Sequence, residues 1–255
     1  QKPVPFMSDG RGVAKPVVAW TDFLLPLVCV LLVGANALYL SSSNLDSIVQ
    51  RAVKPSVLWG QTVDHIKISV FIAVLVMMVA VPLGILVTRP RFKKTSPFVL
   101  AAANVGQAAP SIGLLAIVGA YTIGLKVVVL VLAAYSVLPV LRNTIVGLEQ
   151  VDVGIKDAAR GQGMSPVGVL MKVEIPLAIP VIGAGARTAL VLAVATVPFG
   201  TYLGAGGLGP SVFGSIQLGR NQVLVIASLL IAVLALMLDW AGGLLQRALT
   251  PRGIR

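Results

Sequence analysis

Six stretches of this sequence are long and apolar enough to cross a lipid bilayer as helices. A spanning helix needs about 20 largely apolar residues. Only 11% of the residues are charged, against about 25% in ordinary soluble domains, and lipid-facing surfaces are where so few charges are expected. We therefore predict an all-α, polytopic membrane protein with six transmembrane helices. The predicted spans are residues 23–41, 66–88, 98–121, 125–145, 178–202 and 222–246.

Most of these spans contain a proline, which removes one backbone hydrogen bond and bends a helix. The sequence predicts bends at Pro26, Pro82, Pro110, Pro139 and Pro198. Bent spans suit a protein that moves between two states, although prolines are common in membrane helices.

The positive charges indicate which way the spans face. Of the 20 Lys and Arg residues, 14 fall in one set of alternating segments and five in the other, and Arg187 lies within a span. Short loops rich in Lys and Arg face the cytoplasm. Both termini and the 146–177 loop are therefore predicted to be cytoplasmic. The same bias accounts for the net charge of +11 without a nucleic-acid partner.

The first span has two interpretations. Basic residues precede it and Ala35-Asn36-Ala37 follows, which is typical of a signal-peptidase site. The length of the apolar run favours a retained anchor.

Residue types that carry out covalent chemistry are scarce. The chain has one cysteine, Cys29, and one histidine, His65, which is too few for a metal site. The glycine run 204–209 lacks the Gly-Lys-Ser/Thr ending of a phosphate-binding loop. We therefore predict no catalytic residues, no metal and no cofactor in this chain, and interpret His65 as a surface or interface residue.

A polar passage at residues 157–176 has a distinctive spacing. Asp157-Ala158-Ala159 is followed after three residues by Gly163, after nine more by Val173, and then by Ile175-Pro176. Alanines can lie deep in a groove of another protein, and Gly163 permits a sharp turn. Ser165-Pro166 is typical of a helix start. The pattern predicts a helix–turn–helix along the membrane surface, with Asp157 near the start of its first helix and Pro176 at the end of its second.

This spacing resembles the EAA loop of bacterial ABC-importer permeases, with Asp for Glu, Val for Ile and Ile for Leu. The resemblance implies a five-helix permease core at 61–255, preceded by an N-terminal tail, span and external segment at 1–60. It also implies that a cytoplasmic ATPase dimer, which binds ATP and Mg²⁺, docks on the loop. The residues implied to couple to it are Asp157, Ala158, Ala159, Gly163, Val173, Ile175 and Pro176.

Beyond the loop, the chain is similar to the osmoprotectant branch of these permeases. The most distinctive segments are Gln-x-x-Pro-Ser at 107–111 and Gly-Ala-Gly-Gly-Leu-Gly at 204–209. The resemblance implies import of glycine betaine, choline or carnitine across the bacterial cytoplasmic membrane. It further implies a second permease subunit, identical or similar, and an extracytoplasmic solute-binding protein.

Candidates for the translocation path are polar or aromatic residues in or beside the spans. Asn104, Gln107 and Ser111 share one face if 98–121 is a single helix, and line either a cavity or a helix contact. Arg187 either forms a cationic pocket that attracts the carboxylate of a betaine or has a structural role, paired with an acid or with helix carbonyls. Phe213 is placed at the outer gate.

Three alternatives remain, and the last two belong to other classes of protein. One is an importer of the same kind for another small polar solute, such as an amino acid or a sulfonate. An ion-coupled secondary transporter would show inverted repeats or buried carboxylates, and neither is evident in the sequence. A membrane-embedded enzyme would cluster His, Asp or Glu at one membrane face.

Overall fold

The structure, a computed structural model, describes residues 20–43 and 45–251, and every regular element in those ranges is helical. Five helices are long and apolar enough to cross a membrane: Trp20–Ser42, Pro55–Thr88, Leu125–Glu149, Pro166–Leu203 and Asn221–Leu249. A further bent pair, Lys93–Ala108 with Ser111–Gly119, makes six if it counts as one span. The all-α fold is as predicted. Residues 1–19, which include most of the predicted cytoplasmic tail, lie outside the described ranges.

The elements are numbered in chain order. The α-helices are α1 (Leu24–Ser42), α2 (Ser47–Ala52), α3 (Pro55–Thr88), α4 (Ser96–Ala108), α5 (Ser111–Gly119), α6 (Leu125–Glu149), α7 (Val153–Gly161), α8 (Pro166–Val169), α9 (Ile175–Thr196), α10 (Gly209–Leu218) and α11 (Asn221–Leu249). A π-helical turn, Leu170–Glu174, joins α8 to α9, and a 3₁₀ helix, Val197–Leu203, follows α9.

The predicted span 98–121 is not a single helix. α4 ends at Ala108 and α5 begins at Ser111, and the two helices meet at 85°. Pro110 has no backbone N–H, and it also disfavours helical backbone at Ala109, which is extended at ψ 139°. The proline therefore ends one helix and starts another.

The other prolines behave differently from one another. Pro82 and Pro139 lie inside α3 and α6, as expected, and Pro198 lies in the 3₁₀ helix. Pro26 falls in the first turn of α1, where the missing N–H has no helical partner in any case. Pro180 also lies inside α9, a position that the sequence pattern did not single out.

Helix α6 forms the centre of the bundle, packed between α3 and α9, and α11 packs on the other side of α9. Small residues allow these helices to approach closely, as is common in membranes. A Cβ on Gly185 would lie 2.7 Å from the Pro139 carbonyl oxygen, and one on Gly84 would lie 2.7 Å from the Thr144 side chain. The apolar core accordingly runs along α6.

The N-terminal span α1 packs beside α11, and one ion pair just before α1 and another just after it join this part of the chain to the two ends of α11. At one end the carboxylate of Asp22 pairs with both terminal nitrogens of Arg247, at 2.9 and 3.0 Å, and the Trp240 indole donates to the Asp22 carbonyl at 2.8 Å. At the other end Asp46, which caps α2, pairs with Arg220. The Val49 backbone N–H, with Arg220, holds the pKa of Asp46 below its ordinary value.

The bundle has two ends. One, called the loop end below, carries α7, α8 and the π-helical turn, and the C-terminal ends of α3, α6 and α11 lie there. The opposite end carries α2, α10 and the starts of α3, α6 and α11.

Candidate coupling loop and translocation residues

The loop begins at a different residue from the one predicted. Helix α7 starts at Val153, and its cap is Asp152, whose side chain accepts from the Ile155 N–H at 3.1 Å. Asp157 lies in the middle of the helix and pairs with Arg160 at 2.8 Å. An aspartate at position 152 satisfies the free N–H groups of the first turn, so the helix begins one turn earlier.

A tight turn separates α7 from α8. Gly163 has a φ of +83°, in the left-handed region that favours glycine, and the Met164 N–H donates to the Ala159 carbonyl at 3.2 Å. Ser165 then accepts from the Gly168 N–H at 3.1 Å, and Pro166 occupies the first position of α8. The turn and the second helix start are therefore as predicted.

Pro176, however, does not end the second helix. The chain remains helical from Pro166 to Leu203 through the π-helical turn. A proline clashes with the carbonyl four residues earlier, and a local wide turn before it relieves such a clash without breaking the helix. The loop is thus continuous with the span α9.

The motif residues divide into exposed and inward-facing groups. Asp157, Ala158 and Gly163 are exposed and Ala159 is buried, whereas Val173, Ile175 and Pro176 are half-buried. Three apolar side chains next to them are largely exposed: Val153 (65%), Val167 (68%) and Met171 (58%). Together with Ala158 they are called the loop surface below. Neighbouring exposed apolar side chains of this kind mark surfaces that contact another protein or the membrane.

An ion pair that the sequence analysis did not predict lies at the loop end of the bundle, between Glu174 and Arg89. Glu174, the last residue of the π-helical turn, is 5% exposed, and Arg89, just past α3, donates to its Oε2 at 2.6 Å. The sequence did contain a signal for this pair. Glu174 stands in an apolar run close to a proline, where burial is expected, and a buried carboxylate requires a partner.

Arg187 is paired with an acid. Its Nε and Nη2 donate to the two carboxylate oxygens of Asp239 at 2.9 and 2.6 Å, and Gln246 is within 3.4 Å. Gly242 and Gly243 leave room for the guanidinium against α11. These contacts are the ones expected if Arg187 pairs with an acid, and the two parallel hydrogen bonds join α9 to α11.

The polar stripe on the third span does not exist as predicted. Asn104 and Gln107 lie on α4, and Ser111 is the first residue of α5, beyond the 85° bend. Residues on two helices at that angle do not share a helical face. Asn104 is exposed, Gln107 is half-buried and Ser111 is buried.

Phe213 belongs to an aromatic group at the opposite end of the bundle. Its ring centroid lies 4.9 Å from that of Tyr202 and 5.7 Å from that of Phe199, with the planes tilted. Tyr202 is 54% exposed. These three residues are called the aromatic group below. Among the described residues, neither Arg187 nor Asn104 takes part in the ring contacts of this group.

His65 is fully buried, contrary to the prediction of a surface or interface position. Its Nε2 lies 3.0 Å from the Val194 carbonyl oxygen, and its Nδ1 accepts from the Leu208 N–H at 3.2 Å. These two bonds fit the neutral ring with the proton on Nε2. They join α3, α9 and the glycine-rich segment at 204–209, whose Gly207 packs directly on the ring.

The described residues form an all-helical bundle with bent spans, and a surface loop leads directly into one of those spans. The chain belongs to the family described as the binding-protein-dependent transport system inner membrane component, which matches residues 80–252. The family is that of the ABC-importer permeases that the loop spacing resembles.

Relatives and solved structures agree with this family. The carnitine transport permease protein OpuCB of Listeria monocytogenes is 37% identical, with 76% of this chain and 89% of that protein covered. The choline transport system permease protein OpuBB of Bacillus subtilis is 34% identical, with the same coverage of both chains. The osmoprotectant import permease protein OsmW of Salmonella typhimurium is 36% identical, covering 76% of this chain and 92% of that one.

Among solved structures, the fold resembles the MetNI methionine ABC transporter in an inward-facing conformation. The TM-score is 0.68 at 24% identity, covering 81% of this chain and all of that one. This likeness supports the fold, and the family match together with the curated relatives shows that the chain is a multi-pass permease subunit of a transporter.

Proposed function

We propose that this chain is the permease subunit of an ATP-driven importer for a small compatible solute such as glycine betaine, choline or carnitine. The observation that carries the proposal is the likeness to carnitine, choline and osmoprotectant permeases over three quarters of the chain. An amino acid or a sulfonate is the alternative cargo.

A separate ATPase dimer, with ATP and Mg²⁺ bound to it, docks on the loop in this proposal. The loop surface supports this, because Val153, Ala158, Val167 and Met171 expose apolar area next to the exposed Asp157 and Gly163. Ala159 is buried in the part of the loop where α7 packs on α8 and the π-helical turn, and the half-buried Val173, Ile175 and Pro176 lie where the loop runs into α9.

Orientation and the remaining partners follow from charge and position. The loop end carries Arg89, Arg91, Lys93, Lys94, Arg142, Lys156, Arg160, Lys172 and Arg247, which favours a cytoplasmic loop end with both chain termini on the same side. A solute-binding protein then meets the opposite end, around α2 and α10. A second permease subunit, identical or similar, completes the path, and residues 61–255 form the core that pairs.

The proposal is tested by measuring uptake in reconstituted vesicles. Permease, ATPase and binding protein together are expected to accumulate radiolabelled glycine betaine, choline or carnitine when ATP is supplied at the loop end. Methionine and taurine serve as competing cargoes. Uptake that persists undiminished without the ATPase contradicts the proposal, whereas preference for taurine overturns only the cargo.

The aromatic group gives the permease a place to receive such a solute. Glycine betaine, choline and carnitine all carry a quaternary ammonium, and the negative faces of aromatic rings attract such cations. Phe199, Tyr202 and Phe213 supply three rings, with Phe213 within 5.7 Å of each of the other two, and Tyr202 leaves about half its surface open. We place the outer mouth of the path at this group.

A substitution at Tyr202 tests this role. Replacing Tyr202 with Leu removes the ring face but keeps an apolar side chain, and we expect the rate of uptake of the cationic solute from its binding protein to fall about three- to tenfold, as for a partly exposed cation–π contact. Tyr202→Phe keeps the ring and is expected to stay within twofold. The initial rate of choline uptake, at a fixed concentration of loaded binding protein, measures both. Equal rates for the Leu and Phe variants would contradict the placement.

A further inference from the structure

The ion pair between Arg89 and Glu174 connects two parts of the chain that are far apart in sequence. Glu174 closes the π-helical turn that leads from the loop into α9, and its side chain is 6% exposed. A carboxylate this buried is stable only with a charged or hydrogen-bonding partner. The partner in the described structure is Arg89, whose Nη2 lies 2.6 Å from Oε2.

The guanidinium of Arg89 is itself held on the last turn of α3. Its Nε donates to the Ile85 carbonyl at 3.3 Å, and its Nη2 donates to the Thr88 hydroxyl at 3.0 Å. The Thr88 hydroxyl in turn donates to the Ile85 carbonyl at 2.7 Å. A cation is also favourable at this C-terminal end of a helix. Arg89 therefore moves with α3.

An apolar cluster lies beside the ion pair. It contains Leu148 of α6 with Ala178 and Ile182 of α9, and Ile85 of α3 and Leu170 of the π-helical turn pack against it. The loop thus contacts three spans at this end, and α3 is the one that neither precedes nor follows the loop in the chain. A short charge-assisted bond in a buried setting is directional and stiff.

We propose that the Arg89–Glu174 ion pair is the link through which movement of the loop reaches α3 during transport. This inference rests on the proposed function, since it requires an ATPase docked on the loop surface. When the docked loop shifts, Glu174 pulls on Arg89, and α3 follows together with α9. Both residues are positioning residues that touch neither solute nor nucleotide.

The test compares variants in the complete complex of permease, ATPase and binding protein in lipid vesicles. Arg89→Ala removes the cation, and Glu174→Gln removes the negative charge at constant size. For both we expect the ATPase to copurify and hydrolyse ATP, while solute transported per ATP falls about tenfold, within the range of coupling between sites. Arg89→Lys can still reach a single carboxylate oxygen and is expected to restore at least half of the coupling.

Arg91→Ala is the matched control, because Arg91 is two residues away, exposed, and lies over the Phe92 ring at 5.6 Å. It is expected to keep the transport-to-ATP ratio of the unaltered chain within twofold. The proposal is overturned if Arg89→Ala and Glu174→Gln transport with the normal ratio. It is also overturned if both lose the ATPase from the complex, which would assign the pair to holding the loop surface in the shape that docks the ATPase.

Failure of the proposed function has a different signature. The unaltered chain would then show no ATP-dependent uptake, or no ATPase would copurify with it, whatever residue stands at position 89 or 174.

Discussion

Replacing His65 with alanine is expected to lower the free energy of unfolding by about 2–6 kcal/mol, because two buried backbone groups lose their partners at about 1–3 kcal/mol each. The groups are the Val194 carbonyl and the Leu208 N–H, which contact opposite nitrogens of the imidazole. The cavity left by the ring adds to the loss. Thermal unfolding in detergent, followed by far-ultraviolet circular dichroism, measures the change.

Two further variants separate the hydrogen bonds from the packing. His65→Phe keeps a ring of similar size but makes neither bond, and we expect it to lose most of the stability that alanine loses. Lys67→Ala is the control, since this side chain is 71% exposed and two residues further along the same helix. If His65→Phe unfolds at the temperature of the unaltered protein, the two hydrogen bonds do not hold the glycine-rich segment against α3 and α9.

Replacing Gly163 with valine is expected to reduce transport by up to about tenfold, which is the factor by which about 1.4 kcal/mol lowers the equilibrium constant for forming the turn. An L-residue in the left-handed region costs about 1–2 kcal/mol. Gly163 has a φ of +83° with open space around it, so the penalty comes from the backbone rather than from a clash. The turn that presents the loop surface would therefore be populated less often, and ATP-driven uptake in vesicles measures the result.

The neighbouring sequence offers two controls for this variant. Gly161 is also exposed, is the last residue of α7, and has open space where a Cβ would lie, so Gly161→Val is expected to transport within twofold of the unaltered chain. Gly163→Asn is expected to recover much of the activity, because asparagine tolerates the left-handed region. Equal loss in Gly161→Val and Gly163→Val would mean that bulk on the loop, and not turn geometry, is responsible.

Much of the fold follows from patterns that are local in the chain. Long apolar runs predict spanning helices because a bilayer requires every backbone group to be bonded within the segment, and five such helices are present with a bent sixth pair. The start of α8 at Ser165-Pro166 and the turn at Gly163 were also predictable, since capping and left-handed backbone depend on single residue types.

Helix boundaries were less predictable where two signals competed. Asp152 and Asp157 are both reasonable helix starts, and the structure uses the first. Pro110 and Pro176 have the same local effect, yet one separates two helices at 85° and the other is absorbed by a π-helical turn. Which response occurs depends on what packs around the proline, and that is not encoded in the proline itself.

Local patterns along the chain specify the membrane class, the positions of most spans and the spacing of the loop, because hydrophobic length and turn chemistry act over short stretches. The partners of the buried polar groups emerge from the packing of the helices: Arg89 with Glu174, Arg187 with Asp239, and His65 with the backbone of Val194 and Leu208. Each of these contacts joins residues at least 52 positions apart. A charge or an imidazole that must leave water requires a partner, but the one it finds depends on which helices the bundle brings together.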